Sequence, residues 1–421
     1  MQLRFILLFL FIGYTVLAQE PAIQTKQDTT ATRTQKKQNP FKTGFYPISF
    51  FDIDLKYLIK YNNYEGLRLG IGGITNERLS ETLRFGGYFA RGFKDRDIKF
   101  SLGASVRVHK EQNSWFNLYY IDDIREVGSF KFLTDDRVYS VFEPRLVNVT
   151  QFYKHRTWQT NFQSEFSSKI LTEVRLSRSR IEQILSYRFA NDGILYDNYE
   201  VAEATASVRI SPKTNFFTTE DGRIEYFDGF PKISAQVTQG LSGITGSDFN
   251  YTKFGLKLDY YIKRTDLSST NILLEGNLAT GDVPLTHLFH AYPNSPTKDE
   301  ILQRFSVAGR SSFETMYFGE FFSDKIATFK VKHSLRRFYF SERFKPELVL
   351  ITKHAIGELD ARDKHLGITF NTLEQVYSES GIEINKLLFG FGLSFAYRYG
   401  FYHLPDFEDN VSFKFTFYLK V

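Results

Sequence analysis

The C-terminal stretch Val411-Ser-Phe-Lys-Phe-Thr-Phe-Tyr-Leu-Lys-Val421 decides the fold class, because its odd positions are all apolar and its even positions are Ser, Lys, Thr, Tyr and Lys. Successive side chains of a strand point to opposite faces, so this is a strand with one greasy and one polar side. About 9–11 residues is what a tilted strand needs to cross a bilayer. The greasy face can meet either a soluble core or lipid, and the rest of the chain chooses. The choice falls on lipid, with Phe413, Phe415, Phe417, Leu419 and Val421 as the outward face of the closing strand.

The same alternation recurs upstream. Leu67, Leu69 and Ile71 alternate with Arg68, Gly70 and Gly72, and Ile98 to Val108 forms an eleven-residue strand whose polar face carries Lys99 and Arg107. Phe254 to Ile262, Ala327 to Val331 and Phe391 to Tyr399 repeat it. One such segment decides little, whereas ten or more of membrane-spanning length predict an all-β, antiparallel transmembrane β-barrel. The expected strand number is about 16, within a range of about 14–18. Phe152 to Ile184 and Ser312 to Phe322 show no clean period. Long connections are expected near Asp122 to Tyr139, Ser211 to Asp228, Gly281 to Ser311 and Gly357 to Tyr377, and short hairpin turns elsewhere.

Composition supports lipid as the outer solvent. Aromatic residues make up 17% of the chain, with 44 Phe and 25 Tyr, yet the mean hydropathy is only −0.30. That combination fits strands that give half their residues to a polar interior. Met1 to Ala18 has a cationic start at Arg4 and an apolar run ending in Val-Leu-Ala, the form of a secretory signal peptide cleaved between Ala18 and Gln19. Residues 19–45 are polar and predict a disordered periplasmic lead-in, leaving 46–421 for the barrel. With no cysteine, there are no disulfides, no thiolate ligands and no lipidated N-terminal cysteine. The expected location is the outer membrane of a Gram-negative bacterium. The charge of +5 is spread along the chain and gives no support to nucleic-acid binding.

The polar faces of the cleanest strands are basic: Arg68, Arg84, Lys99, Arg107, Lys253, Lys257, Lys263, Lys330, Lys332, Arg398 and Lys414, against few acids such as Asp259. Lumenal cations either favour anions through an open pore or pair with acids of inserted loops, such as Asp122, Asp123, Glu126 or Asp282, and hold a plug. The plug is preferred, because packed unpaired charges raise one another's cost. Glycines on the same face, Gly70, Gly72, Gly86, Gly103 and Gly255, read as relief of crowding in a curved sheet, and would also let a loop approach the wall.

Catalytic patterns are poor. His287 and His290 have a spacing that suits a metal only on a helical turn, and they read as loop histidines. His333, His354 and His365 stand alone, Gly70-Ile-Gly-Gly73 lies inside a strand, and the Arg-Gly-aromatic sequence Ala90-Arg-Gly-Phe93 lies too early in the chain to match the lid-loop motif of BamA-type insertases. The expectation is no enzyme, no metal and no cofactor.

Tyr64-Glu-Gly-Leu-Arg-Leu-Gly-Ile-Gly-Gly73 and Gly87-Tyr-Phe-Ala-Arg-Gly-Phe-Lys-Asp-Arg-Asp-Ile-Lys-Phe100 resemble an uncharacterised outer-membrane barrel family. Tyr119 to Gly128, Gly240 to Tyr251, Val283 to His290 and Tyr377 to Asn385 are similar to it as well. Its members usually carry an N-terminal carboxypeptidase-regulatory-like domain before a barrel distantly similar to the BamA-type surface-antigen superfamily. In this chain only about 25 residues separate the signal peptide from the barrel, so that domain is expected to be missing. The resemblance implies an accessory or scaffold barrel in surface-protein assembly or export. An anion-favouring porin is the alternative, and an outer-membrane hydrolase stands behind it. Outer-membrane lipids are the expected partners, with other outer-membrane proteins or lipoproteins as candidates.

Overall fold

In a computed structural model, the structure describes residues 44–135, 144–219, 222–227, 229–296, 306–341, 344–388 and 390–417. Among these residues, sixteen strand positions follow one another around a single sheet. The first, β1, is broken into Phe51–Asp54 and Ile59–Asn62 by a 3-10 turn at Leu55–Tyr57. Then come β2 (Gly66–Thr75), β3 (Leu83–Gly92), β4 (Ile98–His109), β5 (Ser114–Glu126), β6 (Phe152–Ser167), β7 (Ile170–Gln183) and β8 (Asn198–Ile210). The second half holds β9 (Lys232–Gly240), β10 (Tyr251–Lys263), β11 (Ser269–Gly281), β12 (Lys325–Ser334), β13 (Glu347–Glu358), β14 (Tyr377–Leu388), β15 (Phe391–Gly400) and β16 (Val411–Phe417). Each pairs antiparallel with the next, and Phe45–Ile48 folds back on β1.

The edge of β16 is taken by Ser306–Val307, which pairs with Lys414 and Phe415 in parallel. The Val307 carbonyl accepts from Asn148 Nδ2 at 2.9 Å, and the Asn148 carbonyl accepts from Asn63 Nδ2, just past β1, at 3.4 Å. The two ends of the ladder are thus joined through interior segments.

Antiparallel order puts successive connections at opposite ends. The described chain enters and leaves at one end, here the terminal end, where most turns are short. The connections after β5, β7, β11, β13 and β15 lie at the other, the loop end. Asp122 to Glu126 and Gly357 to Glu358 belong to strands, which moves two of the expected loop boundaries, and the expected Ser211 to Asp228 loop carries its own hairpin, Asn215–Thr219 with Gly222–Phe227.

Along the middle and terminal part of the wall the faces are inverted relative to a soluble protein. Leu69, Phe85, Leu102, Leu118, Leu176, Leu256, Leu274, Leu350 and Leu393 point outward and are exposed, while Ser101, Asn117, Asn161, Ser207, Ser234 and Ser394 point inward and are buried. Toward the loop end the pattern flips within the same strands. In β7, Val174 and Leu176 face out, but at its loop end Arg178, Arg180 and Glu182 face out and Ile181 is buried inside. In β8, Tyr199 and Val201 are buried and Glu200 faces out, accepting from Arg178 at 2.5 Å. Arg156 pairs with Asp122 at 3.2 Å on the same outer rim. A strand that is membrane-like in one half and soluble-like in the other has no single apolar parity, which is why Phe152 to Ile184 shows no clean period although it holds two of the longest strands.

Candidate functional site

The soluble-like half has a true hydrophobic core inside the sheet. Val127, Phe130 and Phe132 from the connection after β5, Leu285, Leu288 and Phe289 after β11, and Phe370 and Leu373 after β13 pack with Tyr153, Ile181, Tyr199 and Tyr251 of the wall. Phe313 to Phe322 continue it, with Phe313–Tyr317 pairing in parallel with Pro293–Ser295 in the interior. Phe130 meets Phe132 and Phe289 edge to face, with centroids 5.2 and 5.4 Å apart, the geometry that suits ring quadrupoles. It reaches the wall at Gly255, where a Cβ would stand 2.6 Å from its ring. That glycine admits the plug. Gly103 instead relieves crowding within the sheet, since a Cβ there would meet the Tyr119 ring at 2.0 Å.

Ion pairs tie these loops to the wall. Buried Glu314 accepts from Asn294 Nδ2 at 2.6 Å and Ser312 Oγ at 2.8 Å; Lys414 Nζ lies 3.1 Å and Lys353 Nζ 3.9 Å from its carboxylate. Burial acts to raise the Glu314 pKa, yet Lys414, Lys353 and its donors together hold it below the ordinary carboxylate value. Lys353 also reaches Glu379 at 2.9 Å, and Glu379 accepts from the Thr315 amide at 2.7 Å. Arg398 of β15 binds Glu320 through two bonds of 3.1 and 2.7 Å, the bidentate form that adds geometric specificity. Lys257 pairs with Asp135 of the first loop. Arg145 and His290 converge on Glu126, and Lys364 pairs with Asp282 at 3.0 Å.

The cations singled out in the sequence all lie on inward-facing strand positions, each in a different setting. Arg68 binds Asp123 at 2.7 Å, Lys99 lies 3.2 Å from Glu65, and Lys332 binds Glu383 at 2.9 Å. Arg84 and Arg107 stack on Trp115 at 4.0 and 4.6 Å beside Glu77. Lys330 sits between the rings of Tyr292 and Phe313. Lys263 is exposed at the terminal-end mouth. The expectation of a basic inner face needs correction: Glu173, Glu203, Glu275, Glu379 and Glu383 share it. Glu379 and Glu383 were legible, since they alternate with Ile382 and Ile384; Glu173 and Glu203 lie on strands whose period is broken. Of the plug-holding acids expected, Asp123 binds a wall cation, Asp122 faces outward, and Glu126 and Asp282 pair with loop cations. Loop acids that meet the wall lysines include Glu314, Asp135 and Asp95. On β16, Phe413 and Phe415 face outward and are half exposed. Phe417 ends the strand, and Leu419, Val421, Ala18 and Gln19 lie outside the described residues.

The histidines separate. His287 Nδ1 lies 2.7 Å from Thr286 Oγ1, whereas His290 turns to Glu126 at 2.9 Å, so the two rings serve different partners. Burial lowers the His287 pKa to about 4 and that of His365 to about 4, and His365 lies 2.9 Å from Tyr187 Oη. His354 faces outward between Thr352 and Ser378, each at 3.0 Å, with no carboxylate among these contacts.

Beneath the plug are two adjoining polar cavities. One of about 590 Å³ lies toward the terminal end, lined by Tyr57, Tyr88, Asp123 and Glu173 among others. The second, of about 380 Å³, lies directly under the plug and shares Arg125, Gln159 and Arg175 with the first.

The sequence model of the family of unknown function (DUF5686) C-terminal domain matches residues 32–278. No curated protein matches the chain in sequence. Among solved structures, the chain is similar to BamA from Haemophilus ducreyi lacking POTRA domains 1–3, with a TM-score of 0.52 and 13% identity over 87% of this chain and 70% of that one. CdiB from Escherichia coli gives a TM-score of 0.45 and 10% identity over 84% of this chain and 60% of that one. The first likeness establishes a BamA-type barrel fold.

Proposed function

Given that the chain belongs to the DUF5686 C-terminal domain family, we propose that it is an integral outer-membrane β-barrel acting as an accessory or scaffold component in surface-protein assembly or export. The observation that carries this reading is the plug: the loop end of the interior is filled by an aromatic core and fastened to the wall through Glu314, Glu320 and Asp135. A barrel closed by its own loops is built to hold and dock, because long connections on a rigid scaffold are where binding residues collect. The outward apolar belt supports contact with membrane lipid. In this reading residues 1–18 direct export, the terminal end faces the periplasm, the loop end faces outward, and the protein performs no catalysis.

Extraction from the native outer membrane in mild detergent, followed by mass spectrometry of stoichiometric companions, tests it. Stable outer-membrane proteins or lipoproteins are the expected companions, and a barrel that comes out alone refutes the scaffold role. An anion-favouring channel is the second reading, favoured by the cationic lining of the smaller cavity. Steady, anion-selective conductance in planar bilayers would decide for it.

A further inference from the structure

The cavity under the plug differs in charge from the rest of the interior. Lys60, Arg125, Lys131, Arg175 and Lys253 line it against two acids, Glu126 and Glu203. Both acids are engaged: Glu126 by Arg145 and His290, Glu203 by the Tyr251 hydroxyl at 2.8 Å, by His287 at 3.9 Å and by the charge of Lys253. Arg175 also meets Glu173 of the neighbouring cavity at 3.1 Å, so the cations still outnumber the acids. Lys253 is the central group. Its ammonium is bounded by the rings of Phe130 and Phe289 at 5.3 and 5.2 Å, and Glu203 is the acid whose charge acts on it. Ring faces offset only part of the cost of burying an ammonium. The cations come from four strands of the wall, β1, β5, β7 and β10, and from the plug loop, so they surround one space. Gln159, Ser177, Thr205 and Thr238 supply neutral donors and acceptors around them.

We propose that this chamber is a binding site for a small organic phosphate carrying hydroxyl groups. Several cations around one volume suit a dianion with several acceptor oxygens, and the amide and hydroxyl lining suits a polyol. A volume of about 380 Å³ falls in the range of small-molecule sites. The larger cavity opens the route from the terminal end, since the plug closes the other.

The test is isothermal titration calorimetry on the full-length barrel in detergent, with glucose 6-phosphate as the probe and glucose as the neutral comparison. Saturable, salt-weakened binding of glucose 6-phosphate is expected, with no binding of glucose. Lys253→Met is expected to weaken it about tenfold or more, while Lys263→Met, at the exposed mouth, leaves it unchanged. Should Lys253→Met fail to assemble, judged by heat-modifiable gel mobility, Lys131→Met on the plug loop carries the same expectation. No binding by the wild-type barrel, equal binding of glucose, or binding that neither the Lys253 nor the Lys131 variant weakens overturns the proposal.

Discussion

Glu314→Gln is the sharpest probe of the plug. The substitution keeps the shape of the side chain and removes one negative charge facing two lysines, Lys414 at 3.1 Å and Lys353 at 3.9 Å, both of which are buried. Lys353 retains Glu379 at 2.9 Å. Lys414 keeps the carbonyls of Asn294 and Glu314 and loses the acid that acts on it most strongly, retaining the weaker influence of Glu379. Breaking a buried pair by neutralising one partner costs about 3–5 kcal/mol. At about 1.4 kcal/mol per factor of ten, the open-plug population should rise by roughly two to three and a half orders of magnitude. Single-channel recording in planar bilayers should show a quiet wild type and frequent openings in the variant, with faster proteolysis of the Pro293–Tyr317 region in parallel. The charged Glu314 has a lowered pKa in the fold, so its contribution is present above the ordinary value of 4.5 and is lost as pH falls through the lower folded value. Wild-type openings should therefore begin only in that acid range. A Glu314→Gln barrel as quiet and as protease-resistant as the wild type at neutral pH would refute the tethering argument.

Gly255→Val should push Phe130 off the wall, since an added Cβ would stand 2.6 Å from its ring; a loss of about 1–3 kcal/mol in thermal or denaturant unfolding is expected, and an unchanged midpoint would contradict the seating. Leu256→Arg, on the outward belt and 59% exposed, should cost about 2–4 kcal/mol in membrane-inserted stability, whereas Arg180→Ala on the outer rim should stay within about 0.5 kcal/mol; equal effects in lipid would argue against the belt. His287 and His365 are held neutral with pKa values of about 4, below the ordinary 6.5, so the unfolded chain binds more protons between those values. Stability should thus rise with pH across that window, be complete above 6.5 and fall below it. Melting curves of His287→Gln should show a shallower slope there, and an unaltered slope would remove His287 from the account.

The fold was legible because alternation is a local property that needs no partner to be read. Phe413 with Phe415, and Phe254 with Leu256, announce an outward face wherever the solvent outside is uniform along the strand. Legibility failed where the solvent changes. β6 and β7 pass from an apolar to a charged outer face, and on the inside from polar cavity into aromatic core, so Trp158 and Phe162 share a face with Lys154 and Arg156. The site was legible only in part. The inward cations could be named from parity, but their acids lay on strands with broken period or on loops with none.

Local pattern was enough to establish a chain of amphipathic strands, about 16 in number, with an apolar belt and a polar interior. It also placed long connections after β5, β11 and β13 and put cations on the inner face. Long-range packing settled the rest: that those connections fold inward, that Glu314 meets Lys414 a hundred residues away, and that Lys253 closes against the rings of Phe130 and Phe289. The reason is range. Parity follows from the geometry of neighbouring residues, whereas charge pairing and the filling of the interior depend on which distant segments the sheet brings together.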